Sequence, residues 1–305
     1  MPDFQFLQDP ISKKWISLSP RRSRRPDEAK GPLQICPFCP GNEREQPSVY
    51  VILGSNATPE SRGDAGQASM TSSDWLVRVI PNKFPFAPIH EVIIHSPDHH
   101  KSFGELPVSQ TELILQTYRQ RYNIHKEKGQ VYIFNNTGEQ AGESLAHPHS
   151  QLAVVPKEVS LDISEYQISD ELFLDAGLFR LGCPDASQWP DEVWFVPKET
   201  GKTFGDISDE EIKSLAEGLD RLIKIYDYRY GHEFPFNFFI RPGLDWYLRL
   251  IPRVKSLGGF EVGSGVYVNT QDPKDTVAFL KQHWQSGKDG LDFEKIQKHE
   301  YGKHV

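Results

Sequence analysis

The sequence is poor in cysteine. Only Cys36, Cys39 and Cys183 occur in 305 residues, an odd and sparse set that cannot build a disulfide framework. Long apolar runs are missing too. The opening segment, MPDFQFLQDPISKKWISLSP, has neither the apolar centre nor the small-residue cleavage site of a secretory signal, and no stretch reaches membrane-spanning length. A reducing cytoplasm is the expected location, with no membrane partner. Positive charge is in deficit: 34 Lys and Arg face 42 Asp and Glu, for a net charge of −8. Such a chain is a poor general binder of nucleic acid.

One basic cluster stands against that deficit. SPRRSRRP carries Arg21, Arg22, Arg24 and Arg25. It reads either as a solvated loop or as a phosphate clamp, because guanidinium forks suit phosphate oxygens.

The length suits two medium domains or one domain built from two similar halves. The second option has support in the sequence. Lys101–Leu106 (KSFGEL) and Lys202–Ile207 (KTFGDI) match at every position by identity or close chemistry. An amphipathic helical pattern follows each. In the first copy, Leu113, Ile114, Thr117, Tyr118, Arg121 and Tyr122 keep a helical period. A strand pattern follows each helix, QVYIFNNTG in one half and FPFNFFIRPG in the other. A last strand closes each unit, SQLAVVP and DWYLRLIP, and EVIIHSP before the first helix parallels EVWFVP before the second. Chance likeness of short segments is the plain alternative, but five features in the same order favour duplication. The expected plan is two β-β-α-β-β-like units joined around residues 157–190.

Cys36-x-x-Cys39 sits in CPFCPGNE. A redox motif would place the first cysteine at a helix start, and two prolines fit a knuckle better. Zinc would need two more ligands. His90, His95, His99, His100, His125, His147 and His149 are all candidates in the first half, and spacing does not choose among them. Any one alone reads best as a surface or packed imidazole; with both cysteines, the set favours zinc.

The stretch ESLAHPHSQLAVVP places His147, His149 and Gln151 at alternate positions. In a strand they share one face, with about 7 Å between neighbours. Pro148 lacks an N–H and suits a strand start. The preceding NNTGEQAGES is rich in Asn, Gly and Ser, the composition of a loop that turns donors toward an anion. Two readings weigh about equally on the residues alone. One is a set of buried histidines satisfied by backbone. The other is a phosphate site in which a neutral histidine attacks phosphorus.

Taken together these segments resemble the galactose-1-phosphate uridylyltransferase family, the transferase branch of the histidine-triad superfamily. The likeness spans most of the chain and is strongest over residues 15–156. It is carried by WISLSPRRSRRP, CPFCPGNE, SPDHHKSFGEL and FNNTG…ES…HPHSQ. The resemblance implies an α+β fold of two tandem histidine-triad-like motifs, residues 1–170 and 171–305, forming a half-barrel of mostly antiparallel strands with flanking helices. It implies one zinc per chain on Cys36, Cys39, His99 and His147. It makes His149 the nucleophile that takes a nucleoside monophosphate, with Gln151, Asn136 and Ser144 at the phosphate. Arg22 and Arg25 would reach substrate phosphates, in the family from the neighbouring subunit of a homodimer. Asn82 falls in the nucleoside segment and Glu261 in the sugar segment. The implied substrates are a nucleotide sugar and a sugar phosphate, as in galactose metabolism, with a nucleotide-sugar phosphorylase such as one acting on ADP-glucose as the alternative. The chain departs from the family in three places. GLDWYLRLIP supplies no histidine for a second metal, VGSGVYVN stands where a glutamine follows the family's sugar-reading glutamate, and Lys83 follows Asn82 where an acid is usual.

Overall fold

The computed structural model describes residues 4–25, 35–54, 75–163, 165 and 168–286. The segment ahead of the main sheet contains a small hairpin, β1 (Gln5–Gln8) and β2 (Trp15–Leu18). The main sheet takes β3 (Tyr50–Leu53), β4 (Trp75–Pro81), β5 (Ile89–Ile94), β6 (Gln130–Thr137) and β7 (His149–Val155) from the first half. The second half supplies β8 (Phe173–Ala176), β9 (Phe179–Gly182), β10 (Val193–Pro197), β11 (Phe236–Ile240) and β12 (Leu248–Pro252). The spatial order is β3-β4-β5-β7-β6-β11-β12-β10-β9-β8. Every pairing is antiparallel. The fold is therefore α+β: among the described residues, ten of the twelve strands form one sheet and β1 and β2 a separate hairpin.

Helix α1 (Val108–His125) follows β5 and α2 (Asp209–Tyr230) follows β10. The short α3 (Gly259–Ser264) and α4 (Pro273–Ser286) come after β12. The two matched hexamers fold alike. The Ser102 N–H donates to the Glu105 carboxylate at 2.7 Å, and the Thr203 N–H to Asp206 at 3.0 Å, each closing a short 3-10 turn. The start of α2 is fixed by a reciprocal cap. Ser208 Oγ accepts from Glu211 N and the Glu211 carboxylate from Ser208 N.

Strand parity decides where the core and the site lie. Val131, Ile133, Leu152 and Val154 bury one sheet face in the main core, with Leu115 and Tyr118 of α1 and Leu215 and Leu219 of α2. Val92 and Ile94 of β5 join a smaller cluster with Phe38, Trp75 and Leu145. His149 and Gln151 alternate with Ser150 and Leu152, so they stand on the face away from α1 and α2.

The region around 157–190, expected as a joining segment, includes more regular structure than that. Its FLDAGLFRLG forms the β8–β9 hairpin, with Gly177 at φ +74 in the turn. Among the described residues no helix is long and apolar enough to cross a membrane.

Candidate active site and metal centre

The knuckle at 36–42 is held by its own backbone. Cys39 N donates to Cys36 O and Asn42 N to Cys39 O, while Asn42 Nδ2 reaches Cys36 O at 2.9 Å. His99 follows β5 and His147 precedes β7, and adjacent pairing of these strands brings both imidazoles to the knuckle. Cys39 Sγ lies 3.3 Å from His99 Nδ1 and 3.6 Å from His147 Nδ1, and Cys36 Sγ lies 3.7 Å from His147 Nδ1. The four donor atoms all fall within 4.8 Å of one another. Of the seven candidate histidines, the fold gathers these two.

The chemistry of the quartet fits a cation. Two thiols and two imidazoles converge with no positive side chain in the group. Burial, and then the neighbouring Cys36, push the Cys39 thiol up to about 11, so ionising it calls for a compensating positive charge. His147 turns Nδ1 to the sulfurs while its Nε2–H donates to Ser96 O at 2.8 Å. That outer bond fixes the tautomer as metal-ligating histidines require. Burial also lowers the His147 pKa to about 4, which keeps the ring neutral.

Two residues further on, the His149 Nδ1–H donates to His147 O at 2.9 Å, placing the ring's lone pair on Nε2. Phe38 meets the ring edge-on, with centroids 5.2 Å apart. The quartet and His149 are thus mechanically in series, because the carbonyl that orients His149 belongs to His147.

A cavity of about 240 Å³ opens beside this ring, lined by Arg25, Phe38, Asn82, Ser144, His149 and Gln151 among others. Gln151 Oε1 accepts from His90 Nε2 at 2.9 Å and from Asn82 Nδ2 at 3.4 Å, so the amide presents its NH₂ as donor. His90 is buried, and its Nδ1 accepts from Phe86 N. Desolvation, only partly offset by the Gln151 bond, takes its pKa down to about 3. The sequence marked His90 only as one metal candidate among seven; its place here depends on the Asn82 turn and the β5–β7 pairing.

The other expected residues divide. Ser144 and Asn82 line the cavity with His149. Asn136 lies on β6, one step beyond the Asn135–Ser150 pair, and its Oδ1 accepts from Asn237 Nδ2 at 2.8 Å. Arg25 lines the cavity of its own chain. Arg22 Nη1 donates to Phe84 O, with its guanidinium 4.9 Å from the Phe86 ring. Burial and then Arg25 lower the Arg22 pKa to about 10, so it stays charged at neutral pH. Arg22 thus packs on the 84–86 segment of its own chain, where Ser17 Oγ also donates to Phe86 O at 2.7 Å. Glu261 is not among the residues lining the cavity. Its carboxylate is engaged within its own segment, by Lys255 Nζ at 3.3 Å and Gly258 N at 3.1 Å.

The second half of the sheet carries different side chains. Gln151 pairs in register with Val92 and Phe134; Arg249 pairs with Trp194 and Phe239. Arg249 meets Glu192 at 2.5 Å in a buried ion pair. No histidine lies on β12.

The site is thus an all-antiparallel α+β sheet with a Cys₂His₂ cluster beside a cavity lined by His149 and Gln151, and known proteins resemble it. Residues 88–154 match the family model described as galactose-1-phosphate uridyl transferase, N-terminal domain. The chain is 26% identical to ADP-glucose phosphorylase of Arabidopsis thaliana over 91% of this chain and 92% of that one. It is 22% identical to galactose-1-phosphate uridylyltransferase of Thermotoga maritima over 90% and 96%. Among solved structures, the fold matches an Arabidopsis thaliana ADP-glucose phosphorylase with bound ADP-glucose at TM-score 0.67 and 22% identity, covering 92% and 98%. It matches a uridylyltransferase at TM-score 0.68 and 20% identity, covering 92% and 99%. The resemblance to the galactose-1-phosphate uridylyltransferase family therefore holds in sequence and in fold.

Proposed function

We propose that the protein is a nucleotidyltransferase that moves a nucleoside monophosphate from a nucleotide sugar to a phosphate-bearing acceptor through a covalent bond to His149. The observation that carries this reading is the His149 ring itself, held by Nδ1 to the His147 carbonyl and set in a cavity with Gln151, Ser144, Asn82 and Arg25.

In the first step His149 Nε2 attacks the α-phosphorus. The N–P bond forms, the P–O bond to the sugar phosphate breaks, and the sugar 1-phosphate leaves as an anion. In the second step an acceptor phosphate oxygen attacks the same phosphorus and the N–P bond breaks. The Nδ1 proton stays against His147 O throughout, easing the positive charge on the ring. Gln151 NH₂ and Ser144 donate to non-bridging oxygens, and Arg25, with Arg22 behind it, supplies positive charge. Cys36, Cys39, His99 and His147 would hold one zinc, whose contribution is to clamp the strand start with every position filled by protein.

The acceptor has two readings. A hexose 1-phosphate gives uridylyltransferase chemistry, as the names of several relatives describe. Inorganic phosphate gives nucleotide-sugar phosphorolysis, favoured by the 26% identity to an ADP-glucose phosphorylase across nearly the whole chain. The same proposal takes residues 1–170 and 171–305 as tandem histidine-triad-like halves, the first reactive and the second degenerate. Support comes from a strand order that runs in mirrored sequence outward from the β6–β11 pair. A homodimer in the cytoplasm completes the reading.

Intact-mass measurement after incubation with UDP-glucose or ADP-glucose alone tests it. A UMP or AMP adduct, absent in His149→Asn, is the expected result and names the base. Absence of any adduct with either donor overturns transfer. Adding phosphate or hexose 1-phosphate to the adduct then identifies the acceptor by which one clears it.

A further inference from the structure

Behind β7, on the helix side, lies a polar cluster that the proposed chemistry does not use. His95, Tyr118 of α1 and Ser150 of β7 are all completely buried. His95 Nε2 is 2.6 Å from Ser150 Oγ and 3.2 Å from Tyr118 OH, and Tyr118 OH is also hydrogen-bonded to Ser150 Oγ. Asn135 Nδ2 spans Ser150 Oγ at 3.3 Å and the His149 carbonyl at 3.0 Å.

Asn135 Nδ2 can only donate, so it takes one Ser150 lone pair. Ser150, Tyr118 and His95 share the remaining hydrogen bonds of the cluster, while His95 Nδ1 has no hydrogen-bond partner. Burial holds the His95 pKa well below its ordinary value.

We propose that His95, Tyr118 and Ser150 are positioning residues that hold the start of β7 so that His149 meets phosphorus in one orientation. This rests on the nucleotidyl-transfer reading. Successive units around His149 are held by hydrogen bonds from β5, β6 and the buried cluster. Pro148 O accepts from His95 N at 3.0 Å, His149 O from Asn135 Nδ2, and Ser150 Oγ is the hub of the buried cluster. The surroundings are apolar, with Phe103 edge-on to His95 at 5.2 Å and Ile93 and Leu152 in the same core. Hydrocarbon side chains would fill this space without directional bonds. A network of directional hydrogen bonds instead favours one geometry, and misplacement of a nucleophile by about 1 Å can cost 10²-fold in rate.

The test compares Ser150→Ala, Tyr118→Phe and Ser150→Thr with wild type in the full-length, metal-loaded protein. The expected result is a single-turnover rate of adduct formation about ten- to a hundredfold lower in Ser150→Ala and Tyr118→Phe. Nucleotide-sugar affinity and metal content stay at wild-type level, and Ser150→Thr recovers most of the rate. A second readout needs no activity. The imidazole ¹⁵N signals of His149, assigned by their loss in His149→Asn, should report the Nδ1–H tautomer in wild type and a tautomer mixture in Ser150→Ala. Wild-type adduct rates, or losses confined to affinity, overturn the proposal, as does an unchanged His149 tautomer. If wild type forms no adduct, the transfer reading fails and the tautomer measurement alone decides the positioning claim. Should Ser150→Ala not fold, the near-isosteric Tyr118→Phe carries the same comparison.

Discussion

At the scale of single residues, two groups make opposite demands on protons. The metal quartet must lose them and His90 must not gain one. Metal analysis should find about one zinc per chain in wild type and a sharp fall in Cys36→Ser, with affinity weakening as pH drops because binding displaces thiol protons. For His90 the folded pKa sits near 3, below the ordinary value of about 6.5 for an unfolded chain. The unfolded state therefore binds more protons between those limits. The stability contributed by neutral His90 is complete above about pH 6.5 and drains as pH falls toward 3, at up to about 1.4 kcal/mol per pH unit. His90→Asn, which can keep a donor to Gln151, should flatten the acid side of a melting-temperature profile; an unchanged profile would show that other groups set it. The cysteine pair was legible from its local spacing in CPFCPGNE, whereas the choice of His99 and His147 among seven histidines came only with the family resemblance. The role of His90 was not legible, because its partners Asn82 and Gln151 meet it only through a turn and a strand pairing.

At the scale of elements, the loop between β6 and β7 carries the constraint. Gly138 has φ +84 and ψ 153, a region open almost only to glycine, and an added Cβ would meet Pro235 Cβ at 2.9 Å and its Cα at 3.2 Å. Gly142, at φ +81 and ψ 23, has nothing within 4 Å of the same construction. Gly138→Ala should cost about 2–3 kcal/mol by chemical denaturation and slow adduct formation, because Gly138 N also binds the Glu143 carboxylate next to Ser144. Gly142→Ala should cost only about 1 kcal/mol. Equal costs would place the strain elsewhere. The strands of this region were readable from period-two alternation and the helices from the 3.6 period. The β8–β9 hairpin was not, although FLDAGLFRLG alternates around a glycine turn, because it lies in a stretch taken as a connection.

At the scale of the molecule, ten strands share one sheet and one main core, which runs from Val77 through Trp284 and contains residues of both halves. Urea unfolding followed by tryptophan fluorescence and by far-UV circular dichroism should therefore superimpose as a single transition; separated midpoints would mean the halves melt independently. The repeated hexamers and matching element order point to a two-part plan, which the mirrored strand order supports. The buried Glu192–Arg249 pair in the second half needed the sheet register to be seen. The Cys/His cluster has a further meaning in terms of chain connectivity. Its sulfur and imidazole donors are as much as 111 residues apart along the chain. An ion held there would act as a reversible cross-link closing a long loop, restricting the unfolded ensemble as a covalent tie of that span would, by an amount on the order of 4–5 kcal/mol in the chain-entropy picture. Metal supply would then govern how much folded protein exists, apart from any effect on how fast each folded molecule turns over.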